Sequence, residues 1–387
     1  MITGKLPDPE EIRDALEIVA QYGIPASVAA GIFDVGTGSF LKYFEQEILD
    51  DLVTQGGSTC RFFEGAYGSG KSHFLQLLGD LALERGMAFV KTELSHSLSL
   101  EDWRLITLHI LQNLKIRIGN EQVRSLPAIL EVLGRFEIVN TEVLRKVLLP
   151  HPGFRQAMLL AVERSFLKEQ AWILLRRFLL GENVRIKELQ KAGITRVKNP
   201  LSARNAEQVL NTVLGGLFYL GIPGTMLLFD ENEKTLVSRR QIPAKKIQIA
   251  ANLMRRLIDS CTTDGLVGTV TVFAILPGFL EDCTRSYPAL GQRLQMVRNE
   301  KQKPAWRWPV LPVTAVNTVQ KPEYFLSQVI DNFERIILHC GGNVDGFRQN
   351  TQFQGNSILR KNAGSGYRRE LLKMLATFAL EQIGGSN

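Results

Sequence analysis

The chain has 387 residues, 45% hydrophobic and 22% charged, a balance that suits a soluble globular protein and is too apolar for a disordered one. Its 33 glycines and 15 prolines exclude collagen-like and low-complexity classes, and no run approaches the roughly 18 apolar residues of a membrane span. A modest surplus of Lys and Arg (46) over Asp and Glu (39), net charge +7, permits a nucleic-acid partner without demonstrating one.

Residues 7–22, PDPEEIRDALEIVAQY, read as a helix with Pro and acids in its first turn. The opening MITGKLPDPEE is acidic and interrupted, so no secretory leader is expected and the expected location is cytoplasmic. Phe40, Leu41, Phe44, Ile48 and Leu52 give a second amphipathic helix, closed by Gly56 and Gly57. Cys60, Phe62 and Phe63 predict a strand, then a Gly-rich turn, then a helix with Phe74, Leu77, Leu78, Leu81 and Ala82, and MAFVKTEL a second strand. This is the β–loop–α–β unit a parallel sheet requires.

From about 100 to 200 the reading is almost wholly helical, with no convincing strand, as in EDWRLITLHILQNLKI, LPAILEVLGRF and QAWILLRRFLL. Residues 203–220 make another helix, GTMLLFDENE a strand running into acids, and TVTVFAILPGF a further strand. RNEKQKPAWRWP reads as a loop, and 322–340 and 365–383 as two late helices. Cys60, Cys261, Cys283 and Cys340 form no CxxC pair and have no His at metal spacing, so they read as buried free thiols. The five His are scattered, and no Ser–His–Asp or metal constellation can be assembled from them.

The chemistry concentrates in Gly65-Ala66-Tyr67-Gly68-Ser69-Gly70-Lys71-Ser72, a G-x-x-x-x-G-K-S between a strand and a helix. Glycines let the chain turn tightly, so that successive amides point at β- and γ-phosphates, and the helix start adds its dipole. Lys71 supplies charge to those oxygens and Ser72 can ligate Mg²⁺. The stretch assigned to nucleotide contact runs through His73, whose side chain reads as a helix residue without a catalytic part. The strand end Met226–Glu231 supplies the carboxylates. Asp230 is the acid on the Mg²⁺ side and Glu231 the group that orients or deprotonates water, with Glu233 a competitor for that role. A small-molecule kinase has no need of the second acid. Arg293, and Arg368 or Arg369, are candidates for an arginine over the γ-phosphate, or are solvated helix residues.

With these parts in order, the chain resembles an AAA+ ATPase of the origin-recognition branch. GAYGSGKSHFLQLL, MLLFDENE and FAILPGFLEDCTRSYPALGQRL together resemble the ATP-binding proteins of BREX-type phage-defence systems, over roughly 30–95 and 205–385. The resemblance implies ATP and Mg²⁺ as ligands, Lys71 and Ser72 on phosphate and metal, and Asp230 and Glu231 as the acid pair. It makes Arg293 similar to an intersubunit finger and Arg368 to a sensor arginine of the lid, with self-association and a helicase or DNA-modification partner. The chain departs from the pattern in two places. VTVFAIL lacks the Asn or Thr often found at its end, and no winged helix follows the lid helix before Asn387.

The expected fold is therefore α/β: a P-loop NTPase, AAA+-like, with a parallel sheet and helices on both faces. An N-terminal helical segment (1–57) leads into a core of 58–99 and 201–310, with a helical insertion at 100–200 and a helical lid at 311–387. The expected function is Mg²⁺-assisted ATP hydrolysis driving conformational change in a partner complex or on DNA. The alternative is a slow ATP-dependent regulatory switch. Direct DNA contact would fall on Lys234, Arg239, Arg240, Lys245, Lys246, Arg255 and Arg256, or on Lys301, Lys303, Trp306, Arg307 and Trp308. The first set also reads as the solvated side of an amphipathic helix, and the Trp pair as packing.

Overall fold

Among the described residues, seven strands form one sheet: β1 (Thr59–Glu64), β2 (Ala88–Glu93), β3 (Lys115–Ile118), β4 (Glu121–Arg124), β5 (Thr225–Asp230), β6 (Thr269–Ile275) and β7 (Val310–Pro312). Their order is β4-β3-β2-β5-β6-β1-β7. The structure, a computed structural model, describes residues 6–23, 27–95, 97–119, 121–135, 139, 141–230, 244–263, 265–298, 305–319, 321–361 and 366–384. The chain divides into two compact units. The first comprises Met1–Glu45, Phe63–Asp80 and Lys303–Asn387, and the second Gln46–Phe62 and Leu81–Gln302. No described helix is long and apolar enough to cross a membrane.

In the second unit, β5 and β6 are buried at every position, in keeping with the continuous apolar runs MLLF and VFAI. β2 pairs parallel with β5 from Ala88↔Thr225 to Glu93↔Asp230, and β5 with β6 from Thr225↔Thr269 to Phe229↔Phe273. The start of β1 lies beside the start of β6: the Gly268 amide donates to Gly56 O at 3.0 Å and the Thr269 amide to Ser58 Oγ at 3.1 Å. Further along, Phe62 stacks on Phe273 with ring centroids 5.3 Å apart, so β1 runs parallel to β6. Phe273 stacks in turn on Phe229 at 4.8 Å. The three rings thus form one row across β1, β6 and β5.

Residues 100–200, expected to hold no strand, contain two. Helix Trp103–Asn113 stops at Leu114, and β3 and β4 form an antiparallel hairpin, Lys115↔Arg124 to Ile118↔Glu121, laid on β2 at Phe89↔Lys115. The parallel sheet thus carries an antiparallel edge. LKIRI fits the tail of an amphipathic helix and a short alternating strand equally well, and only the sheet edge on offer decides between them. The helices predicted in this stretch are present, including Leu126–Arg135, Pro152–Val162 and Glu169–Leu179, together with Ile186–Lys191, which the sequence reading omits. His151 caps the second of these: its Nδ1 accepts the Phe154 amide at 3.0 Å, and its own amide donates to Thr212 Oγ1 at 2.8 Å. Burial pushes its pKa down.

The first unit has its own core, in which Ile12, Leu16 and Val19 of helix Pro9–Tyr22 join Val329, Ile330 and Phe333 of Pro322–His339 and Leu371 and Leu375 of Tyr367–Gly384. A helix at Phe347–Lys361 is absent from the sequence reading. Its FRQNTQFQGNSILRK buries only Phe347, Thr351 and Gly355, too sparse a stripe to announce itself. Cys60 and Cys283 are buried and Cys261 and Cys340 half-buried, all as free thiols, and burial pushes Cys261 and Cys283 up to about 12.

Candidate functional site

In the first unit the phosphate-loop motif is a tight turn closing onto a helix. Gly68 and Gly70 have φ of 76° and 96°, where a side chain is strained, and helix Lys71–Glu84 begins directly afterwards. Its first ladder bond runs from the Phe74 amide to Gly70 O at 2.9 Å. The amides of Lys71, Ser72 and His73 therefore lie ahead of the ladder, at the positive end of the helix. A methyl group on Gly65 would meet Ser69 Oγ at 2.4 Å, so a larger residue there would have to displace that hydroxyl.

Lys71 is buried, and its Nζ donates to Gly65 O at 2.7 Å and Ala66 O at 3.2 Å, with the exposed ring of Tyr67 at 5.5 Å. The ammonium is thus held inside the curl of its own loop. His73 points its Nε2 at Asp34 Oδ1, 3.6 Å away, an acid the sequence reading does not single out. Three atoms here, Ser69 Oγ, His73 Nδ1 and Asp34 Oδ1, are buried without a hydrogen-bond partner. Buried polar atoms left unsatisfied are costly, and of these the Ser69 hydroxyl, inside the loop, can donate to a ligand oxygen. The signal for Asp34 is slight: a single acid in GIFDVGTG between apolar stretches.

The structure separates the two neighbouring arginines. A methyl group on Gly70 would lie 3.9 Å from Arg368 Nη1, whereas Arg369 packs its Cγ against Gly23. Arg368 lies over the Phe325 ring at 4.8 Å and donates to Val319 O at 3.4 Å. The fold therefore brings Arg368 to the end of the glycine loop and turns Arg369 away.

In the second unit Asp230 ends β5 almost wholly buried, its side chain 3% exposed. The Leu94 amide donates to its carbonyl at 3.0 Å, and Lys91 Nζ stands 3.4 Å from its Oδ2. Glu231 and Glu233 lie outside the described residues, as do Lys234, Arg239, Arg240, Lys301 and Lys303.

Arg293, on helix Pro288–Arg298, donates from Nε to Asp259 Oδ1 at 2.8 Å, while Arg255 donates to Oδ2 at 2.7 Å. The hydrogen bond to Asp259 raises the Arg293 pKa. On helix Ala244–Thr262, Lys246 pairs with Glu101 at 3.3 Å and Arg256 pairs with Glu207. Three of the cations considered for DNA are therefore already matched by acids. Trp306 packs against Phe40 and Tyr43, both at 5.5 Å, and donates Nε1–H to Ala315 O at 3.0 Å, the geometry of a packing residue.

Residues 21–148 match the model of a family described as BREX system ATP-binding protein BrxC/D. The match spans about a third of the chain and includes the whole glycine loop, and it bears out the BREX-type resemblance there. Asp230, Arg293 and Arg368 lie beyond it. No curated protein and no solved structure matches the chain.

Proposed function

We propose that this chain binds ATP with Mg²⁺ at its glycine loop and hydrolyses it, as a component of a BREX-type phage-defence complex in which the nucleotide state changes the protein's conformation. The observation that carries the reading is the loop itself. Its two positive-φ glycines, its three helix-start amides and the inward Lys71 gather positive charge in one turn, as phosphate binding requires. Gly65 to His73 supply the backbone contacts. Lys71 exchanges its loop carbonyls for phosphate oxygens, and Ser72 and Asp230 offer the hard oxygen donors Mg²⁺ prefers. The ion, when bound, neutralises charge on the β- and γ-oxygens. Glu231 orients the attacking water, and Arg368, close to Gly70, stabilises charge developing on the γ-phosphate. Arg293 would act across a self-associated interface. The family name supports ATP as the nucleotide and a multiprotein setting. The candidate partners, a helicase, a DNA-modifying enzyme or DNA itself, are those that the sequence resemblance implies.

A second reading, the slow regulatory switch, is favoured by Arg293 being held on Asp259, an acid of its own unit that already matches its charge. Binding of a fluorescent ATP analogue, followed by turnover with and without single-stranded and duplex DNA, tests both. Wild type should bind with Mg²⁺, and Lys71→Ala should lose about 10-fold or more in affinity, the worth of one charge-assisted contact. Glu231→Gln should bind and not turn over. Wild type that binds no nucleotide refutes the proposal. Turnover that stays slow with every DNA added selects the switch.

A further inference from the structure

Lys91 is a cation in an unusual place. It sits in β2, in register with Leu228, two residues before the pair Glu93↔Asp230. In a parallel ladder, partners in register and residues two apart share a face, so Lys91 and Asp230 project from the same side of the sheet. The ammonium reaches forward along that face to 3.4 Å from Asp230 Oδ2. The two ends of the pair differ. Asp230 is 3% exposed and its backbone is tied to Leu94, whereas Lys91 is 22% exposed on a flexible four-carbon stem. The acid is fixed, and the lysine is the partner that can leave.

A carboxylate buried this deeply is stable only with compensating charge or hydrogen bonds. The nucleotide-bound protein has a divalent cation to offer and the nucleotide-free protein does not. We infer that Lys91 is a resting counter-charge of Asp230, helping to hold the carboxylate in place without metal and competing with Mg²⁺ for it. Lys91 is then a positioning residue that sets how much Mg²⁺ the chain needs. This rests on the nucleotide reading given above. It is a property of the chain's own residues that the phosphate-loop motif does not contain.

The test is a Mg²⁺ titration of nucleotide binding, read by the anisotropy of a fluorescent ATP analogue, with thermal melts of the nucleotide-free protein alongside. Lys91→Met removes the competing charge. The Mg²⁺ concentration at half-saturation should fall roughly 3- to 30-fold, as expected for one unit charge at contact in a partly solvated site. The nucleotide-free melting temperature should drop, and Mg²⁺ with nucleotide should restore it. Lys91→Arg keeps the charge and should titrate within about twofold of wild type. A lysine that merely packs would lower the melting temperature and leave the Mg²⁺ midpoint unchanged, and that result overturns the inference, as does a midpoint that moves to higher Mg²⁺. If Lys91→Met does not fold, Lys91→Gln keeps a polar stem and carries the same titration. Wild type that shows no Mg²⁺-dependent nucleotide binding takes down the parent reading, whereas wild type that binds beside an unshifted variant takes down the Lys91 role alone.

Discussion

Phe273 is the best place to test how the sheet holds together. It is fully buried in β6 and stacked between Phe62, 5.3 Å away, and Phe229, 4.8 Å away, with interplanar angles of 12° and 13°. Phe273→Ala deletes the ring from a site walled by strands on both sides, where little can collapse into the void. Large-to-small changes of this kind cost about 3–5 kcal/mol, and two lost ring pairs, each worth about 0.5–1.5 kcal/mol, place it towards the upper end. With a urea slope of about 3 kcal/mol per molar for a unit of this size, the midpoint should fall by about 1.5 M. Trp172, fully buried in the same unit, supplies the fluorescence signal. Phe273→Leu keeps much of the volume and should cost about 1–2 kcal/mol. A Phe273→Ala shift worth less than about 1.5 kcal/mol would mean the row of rings is a bystander and the strands are aligned by other contacts.

Other perturbations bear on separate links. The His151 imidazole must stay neutral to accept the Phe154 amide, and its pKa is depressed in the fold. The unfolded chain then takes the proton more readily, so the cap's contribution, about 1 kcal/mol, is whole above about pH 6.5 and is lost as the pH falls through the folded value. His109, lowered chiefly by burial, acts in the same direction, and His151→Asn should show a shallower loss of melting temperature on acidification. Gly134→Ala puts a methyl group 2.1 Å from Val162 O, where helices Leu126–Arg135 and Pro152–Val162 meet. The overpacking should outweigh the gain in helix propensity and lower the melting temperature by about 5 °C or more by calorimetry. Asp259→Asn releases Arg293 and Arg255, and turnover in self-associated protein should rise several-fold. Unchanged turnover there counts against Arg293 as a finger.

The local features were legible because each is carried by a few adjacent residues. Glycines at 65, 68 and 70 announce the loop, the apolar MLLF and the β-branched TVTVFAI announce strands, and Pro and acids announce the first helix. The strand pair β3 and β4 and the helix Phe347–Lys361 were not, since LKIRI has no unique period and FRQNTQFQ has almost no apolar stripe. Sequence by itself determined which backbone segments turn, extend or coil, because sterics and periodicity act over a handful of neighbours. Which side chains meet was decided by the tertiary structure alone. It set Arg368 rather than Arg369 beside Gly70, Asp34 against His73 and Lys91 on Asp230. Those pairings span tens to hundreds of residues in the chain, and a charge has no preference among distant partners until the packed backbone brings one of them within reach.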